Sequence, residues 1–167
     1  MADAMYMKID GAPGSSTDSK HSDWIEIEHY SFGGSQQSAA HHGSGGGAGK
    51  VSFHPLSFGA KAGKESPVLF QFMCSGQHIS KINIHESKAG GSSAVNHVEI
   101  ELDDCFMTDY AHSSSHGSPD PNANYSLHFS KAKFKYQEQN DQGGAKGGPT
   151  TGGWDAKLNK KIGRAHV

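Results

Sequence analysis

The sequence predicts an all-β fold: a small antiparallel β-barrel of two sheets carrying one short α-helix. Three observations lead there. Apolar and polar residues alternate with period two in several separate segments. A single segment, at about residues 67–75, carries paired helix start and stop signals. Glycine is abundant, 22 of 167 residues, and loops rich in glycine and serine separate the alternating segments. The length fits a single domain over residues 1–167, with an extended loop at 33–50 and a basic tail after about residue 158.

Residues 4–9 read as a short strand and 11–22 as a loop. Residues 23–32 alternate cleanly, placing Ile25, Ile27, His29 and Ser31 on one face of a single strand. Trp24, Glu26, Glu28, Tyr30 and Phe32 take the other, so neither face is wholly wet. Residues 50–58 form a strand holding Pro55, which cannot donate to a ladder and so marks an edge or a bulge. Ser66 as N-cap, Pro67 at the first helical position and Gly76 just past the end frame the helix. Apart from Gln71 and Ser75 it is apolar most of the way round, through Val68, Leu69, Phe70, Phe72 and Met73. A helix this short does not stand alone in water, and one this apolar needs cover on several sides. A sheet supplies one cover and a neighbouring subunit another, with Leu69, Phe72 and Met73 assigned to this packing.

Residues 78–86 form a strand with Ile79, Ile82 and Ile84 along it. Two long strands follow, 95–110 and 125–137, joined by a loop centred near Gly117. In the second the apolar phase changes from Leu127 and Phe129 to Ala132, Phe134 and Tyr136, which predicts a β-bulge near Ser130. Antiparallel pairing about Gly117 sets Asp103, Glu101 and Glu99 opposite Lys131, Lys133 and Lys135, each pair worth ~0.2–1 kcal/mol. Residues 140–153 are loop, and 154–161 a last short strand.

Charges nearly cancel, 15 Lys and Arg against 17 Asp and Glu. No strong pull toward nucleic acid or an anionic membrane follows. No stretch nears the ~20 apolar residues of a membrane span, so no membrane insertion is expected. The N-terminus lacks the charged head and apolar run of a signal peptide, so synthesis is cytoplasmic and any export proceeds without one. Cys74 and Cys105 read as buried free thiols rather than a disulfide framework. Apolar residues are 34% of the chain, which makes a modest core that burial between copies would supplement.

The segment from Ser35 to Val51 admits three chemistries: a phosphate cradle, a metal site, or an arm that orders against something else. A phosphate loop needs glycine where Ser44 stands, a hydroxyl where Val51 stands, and a helix after Lys50. The twelve histidines are scattered, the adjacent His41 and His42 splay on any regular backbone, and neither cysteine has a C-x-x-C partner. Surface histidines are the expectation. There is no G-x-S-x-G elbow, and Asp103 and Asp104 point to opposite faces of their strand. Thus no catalytic, cofactor or metal residues are assigned and no enzyme is expected. The arm remains: seven of its eighteen residues from Gly33 to Lys50 are glycine, costly to order in isolation.

The opening YMKIDG, the loop residues Gly14, Ser16, Asp18 and His21, and the stretches YSFGGSQ, GGGAGKVSFHPLSF, SPVLFQFMCSGQH, SKAGG and GGPTTGGWD occur in an order that resembles the hemolysin-coregulated protein family, Hcp, of type VI secretion. The likeness runs from about Met1 to Lys161. It implies a β-barrel whose copies close into a homo-hexameric ring, with rings stacked into the inner tube that delivers effectors. It also implies tip and sheath proteins as partners, and secretion through the type VI system. A ring-shaped effector-binding carrier or chaperone, acting mainly as free rings, is the alternative. Some relatives bear C-terminal toxin domains, for which a chain ending at Val167 leaves no room. On this reading the arm stacks rings, through Gly34, Gln36, Gln37, His41, His42, Gly46 and Lys50. Ser31 becomes a candidate lumen contact for cargo.

Overall fold

A computed structural model of the chain describes residues 4–38, 48–88 and 95–162. In chain order the elements are β1 (Ala4–Ile9), β2 (Ile25–Ile27), β3 (His29–Ser31), β4 (Gly34–Ser38), β5 (Ala48–Phe53) and β6 (Leu56–Lys61). Then come α1 (Glu65–Ser75), β7 (His78–Lys88), β8 (Val95–Ser113), β9 (Asn122–His128), β10 (Lys131–Tyr136), β11 (Thr150–Asp155) and β12 (Lys160–Lys161). The fold is all-β with one helix, as the alternation predicts.

The two sheets are not the two walls of a closed barrel. Ten strands share one antiparallel sheet, ordered β12-β11-β10-β8-β7-β1-β2, with β9, β6 and β3 continuing from the far half of β8. Among the described residues, the second sheet consists of the paired strands β4 and β5. β8 is the spine: it pairs with β10 over Val98–Asp103, with β7 over Val95–Phe106, and with β9 over Phe106–Ser113. The two margins of the sheet meet through covalent continuity. Ile25–Ile27 ladders onto β1, His29–Ser31 ladders onto β6, and between them the Glu28 N–H donates to the Gly59 carbonyl at 2.8 Å.

That crossing explains why residues 23–32 are not one strand. Ile25 and Ile27 are buried while His29 and Ser31 are exposed, so the chain turns at Glu28 and changes neighbours. Residues 50–58 likewise divide at His54 and Pro55, into β5 of the hairpin and β6 of the main sheet. The predicted last strand is displaced: Thr150–Asp155 pairs with β10, and Trp154–Lys161 turns back on itself through Asn159, at φ 52°. The first residues of the expected basic tail therefore include β12.

The helix starts two residues earlier than its sequence signals indicate. Lys64 occupies the N-cap with no side-chain cap, and Ser66 lies inside the first turn, buried, its Oγ 2.8 Å from the Tyr125 hydroxyl. Pro67 sits in that same turn, where no i−4 partner is required. Gly76, at φ 67°, ends the helix as expected, and the Gln77 N–H closes onto the Phe72 carbonyl at 3.1 Å. Leu69 is fully buried, with Val68, Phe72 and Met73 partly buried against the core. The protein's own sheet thus covers more of the helix than composition implies, leaving Phe70 and Cys74 exposed. Cys74 is therefore not the buried thiol expected; Cys105 is.

The phase change near Ser130 is present but is not a bulge. Buried residues on three adjacent strands step phase along one row: Ile79 to Ile82 on β7, Leu102 to Cys105 on β8, and Phe129 to Ala132 beyond β9. Ser80, Asp104 and Ser130 occupy the row, and Asp104 takes the left-handed φ of 61°. Because all three strands flip together, no residue is inserted and the register is unchanged across the row. The kink folds the sheet around the core residues Leu56, Ile82, Leu102 and Leu127, all with no exposed surface, and the stacked Phe58 and Tyr125 rings at 4.7 Å.

Candidate functional site

The two features singled out from the sequence, the glycine arm for ring stacking and Ser31 as a candidate cargo contact, lie on consecutive elements. β3 delivers Ser31, Phe32 and Gly33 lead out of the main sheet, and β4–β5 projects as a hairpin before Pro55 returns the chain to β6. The arm is thus not an unstructured loop at its root. Gly34 pairs with Phe53, Ser35 with Ser52 and Gln36 with Val51. The His54 N–H donates to the Gly33 carbonyl at 2.9 Å and closes the base. A side chain on Gly34 would press against the Ser52 carbonyl at 3.1 Å, so glycine lets the strands approach here. Of the predicted residues, Gly34, Gln36 and Gln37 are on β4 and Lys50 is on β5, with Gly34, Gln36 and Lys50 exposed. His41, His42 and Gly46 lie outside the described residues.

Aromatic rings hold the base. Phe53 packs on Phe129 at 4.8 Å between ring centres, and Phe32 lies 5.8 Å from Phe129 and 5.9 Å from Phe134. Phe134 is 43% exposed, so the cluster reaches the surface. Beside it is a cleft of about 570 Å³ lined by Ser31, Glu28, His29, Glu86, Met5 and Phe134, among others. The Tyr30 hydroxyl donates to Glu86 Oε2 at 2.8 Å, and burial first, then that carboxylate, holds its proton far above the usual range. The cleft offers a hydroxyl, carboxylates and aromatic surface. That set suits contact with a polypeptide.

On β8 and β10 the predicted charge ladder is present: Lys131, Lys133 and Lys135 stand opposite Asp103, Glu101 and Glu99. Lys133 Nζ is 3.4 Å from Glu101 and Lys135 Nζ 3.3 Å from Glu99, while Lys131 turns to Asp155 at 3.7 Å. Lys81 also meets Glu101, at 2.6 Å. Burial raises the Glu101 carboxyl, but Lys81 and Lys133 outweigh it and hold the group below its usual range.

Two polar clusters escaped the sequence reading. Asp104 does not simply oppose Asp103; its left-handed backbone lets its carboxylate meet Lys157, His78 and Ser130, which hold it well below the carboxylate range. The other joins His21 to His85 at 3.0 Å, with Asp18 on one flank and Glu99 on the other. His21 is 2% exposed, against the expectation of surface histidines. The available signal was Asp18-x-x-His21 in the loop, whose partner is 64 residues away. Among the described residues, no group of three or more His, Cys, Asp or Glu is placed to hold a metal ion. No helix among them is long and apolar enough to cross a membrane.

Residues 6–136 match the family described as "Type VI secretion system effector, Hcp". Protein hcp1 of Pseudomonas aeruginosa is 34% identical over 159 residues, covering 95% of this chain and 98% of its own. The crystal structure of Hcp1 from Salmonella typhimurium is similar with a TM-score of 0.80 at 32% identity, over 97% of this chain and 100% of that one. Hcp2 from the same organism gives a TM-score of 0.70 at 27% identity, over 94% and 98% of the two chains.

Proposed function

We propose, because the chain belongs to the Hcp family of the type VI secretion system, that it works by assembling with copies of itself. The family is one of structural, secreted components and is not a known enzyme family. On our reading residues 1–167 act as one unit. Six copies close into a ring, rings stack into the inner tube, and the tube delivers effectors together with the tip and sheath proteins. The protein is cytoplasmic until it is exported.

One observation carries this reading: among the described residues, the β4–β5 hairpin has no ladder to the ten-stranded sheet. A hairpin fixed at its base by Phe53 and Gly33 and free of that sheet can engage an adjacent ring without disturbing its own fold. Gly34, Gln36, Gln37 and Lys50 on its strands, and His41, His42 and Gly46 beyond them, are the stacking residues. Deleting residues 36–47 is expected to leave rings intact by native mass spectrometry and to abolish stacking by negative-stain microscopy. Tubes formed equally well by the deletion variant would reject the role.

The carrier reading rests on a separate observation, the cleft of about 570 Å³ that Ser31 lines. We assign Ser31 to the lumen as a cargo contact. Ser31→Gln is expected to lower effector retention in pull-downs while rings form normally. Unchanged retention removes Ser31 from the cargo surface.

A further inference from the structure

Residues 11–24 form a loop bonded largely to itself. The Gly14 N–H donates to the Asp23 carbonyl at 2.8 Å, Ser16 to Trp24 at 3.0 Å, and Asp23 back to Ser16 at 2.9 Å. The loop reaches β7 through side chains that meet His85: the Trp24 ring, 4.5 Å away between ring centres, and His21, whose ring stacks flat on Tyr6 of β1 at 4.2 Å and 7°. His21 Nδ1 is 2.7 Å from Asp18 Oδ2, and Nε2 is 3.0 Å from His85 Nδ1.

The proton positions in this chain follow from its neighbours. Asp18 is a carboxylate held below its ordinary range, first by the His21 hydrogen bond, so it accepts and His21 Nδ1 carries hydrogen. Asn96 accepts the Ser87 hydroxyl on Oδ1 at 2.6 Å, which turns its amino group toward Glu99 Oε1 and His85 Nδ1, both at 3.2 Å. An amino group only donates. His85 Nδ1 is therefore a lone pair, its hydrogen is on Nε2, and Nε2 faces Glu99 at 3.9 Å. His21 Nε2, aimed at the same lone pair from 3.0 Å, is the nearer of two donors that share it, the Asn96 amino group being the other. The reverse arrangement would set two donors against each other at Asn96 and a lone pair against the Glu99 carboxylate.

We propose that residues 11–24 are a pH-released strap, fastened when His21, carrying both ring hydrogens, donates one to Asp18 and the other to a neutral His85. The groups facing the pair agree with this. Asp18 of the loop and the Tyr6 ring of β1 flank His21, and Trp24 lies edge-on at 4.8 Å. Across β7, His85 meets Glu99 and Asn96 of β8, and Lys135 of β10 lies 3.3 Å from Glu99. Glu26 of β2 acts on the Tyr6 hydroxyl. Burial lowers His85 from its ordinary 6.5, Glu99 opposes this, and His21 and Lys135 add to it, so His85 is neutral at pH 7. Acidification places a hydrogen on His85 Nδ1, opposite the His21 donor 3.0 Å away. Two ring hydrogens then face each other, and Glu99, on the far side of His85, draws the new cation away from the loop.

Hydrogen exchange of the full-length protein tests the strap, with intrinsic rates corrected for pH. Peptides spanning residues 11–24 are expected to lose at least tenfold protection between pH 7.5 and pH 5, while β8 peptides stay constant. In His85→Gln the side-chain carbonyl still accepts from His21 but does not titrate, so protection should be high at both pH values. His21→Gln should be poorly protected at both. Equal wild-type protection at both pH values, or a wild-type loss in His85→Gln, overturns the proposal. Should His85→Gln fail to fold, ring-nitrogen NMR of the wild type decides. Two hydrogens on His21 and one on His85 Nε2 at pH 7, with loop release tracking His85 protonation, support it. A neutral His21, or release tracking another histidine, overturns it.

Discussion

Leu69 and Phe70 are adjacent in α1 and live in opposite surroundings: Leu69 has no exposed surface, whereas Phe70 is 49% exposed. Removing Leu69 to Ala loses transfer energy and leaves a cavity against β8, a cost of ~2–5 kcal/mol. Phe70→Ala leaves no cavity and should change stability by under ~1 kcal/mol. Urea titration of the two variants checks the contrast, and comparable losses would mean the helix is turned the other way. Gly14 is constrained by space. A Cβ there would lie 2.4 Å from the Trp24 carbonyl oxygen and 2.7 Å from Ile25 Cα, both backbone atoms that cannot step aside. Gly14→Ala is expected to cost ~1–3 kcal/mol and to raise exchange in residues 11–24 at neutral pH. Cys105 is the reverse of a reactive thiol. Burial, then Asp103, Asp104 and Asp10, push it up to about 12, so an alkylating agent at pH 8 should miss it until the protein unfolds.

Between β8 and β10 the elements hold a ladder of opposite charges, and Glu101 has a cation on each side, Lys81 and Lys133. Lys133→Glu puts like charges across the pair and should cost about 1 kcal/mol. Reversing the partner as well, with Glu101→Lys, should recover only part of that loss, because the new lysine would face Lys81. Denaturation midpoints of the two single variants and the double variant read this asymmetry; full recovery would mean Lys81 takes no part. The register of this ladder was legible in the sequence because reflection about Gly117 needs only the loop's centre and two alternating strands. It survived the irregularity near Ser130 because Ser80, Asp104 and Ser130 kink together, leaving the pairing sums on either side equal. The breaks at Glu28 and Pro55 were less legible. Alternation tells which faces differ, but not when a chain leaves one neighbour for another, and that switch is what divides Asp23–Phe32 and Lys50–Phe58. For the same reason residues 34–38 and 48–49 read as loop: glycines hide the period, while the pairing is made between separate segments, β4 and β5. Ser31 could be placed near the arm by sequence adjacency, whereas the His21–His85 contact spans two distant segments with no shared pattern.

For the whole molecule, the titrating groups fix where the fold is most stable. His85 is lowered from 6.5, so below that value the unfolded chain binds a proton the folded one resists, and stability falls as pH drops toward the folded value. Asp18, Glu101 and Asp104 are lowered carboxyls; their contribution is complete above their ordinary values of 3.8, 4.5 and 3.8, and is lost only as pH falls through the lower folded values. Glu65 runs the other way. Burial raises it above 4.5, so its protonation in the folded state offsets part of the acid loss. On the alkaline side Cys105 and Tyr125 are each raised to about 12 from 9.0 and 10.0, so the unfolded chain ionises first and stability falls above pH 9. The expected curve has a first acid step set by His85 and a steeper one below about pH 4. Because association stabilises the folded state by mass action, the curve belongs to urea titrations at fixed protein concentration. In His85→Gln the first acid step should vanish while the second remains. A first step unchanged in that variant would place the acid-sensitive group elsewhere in the fold.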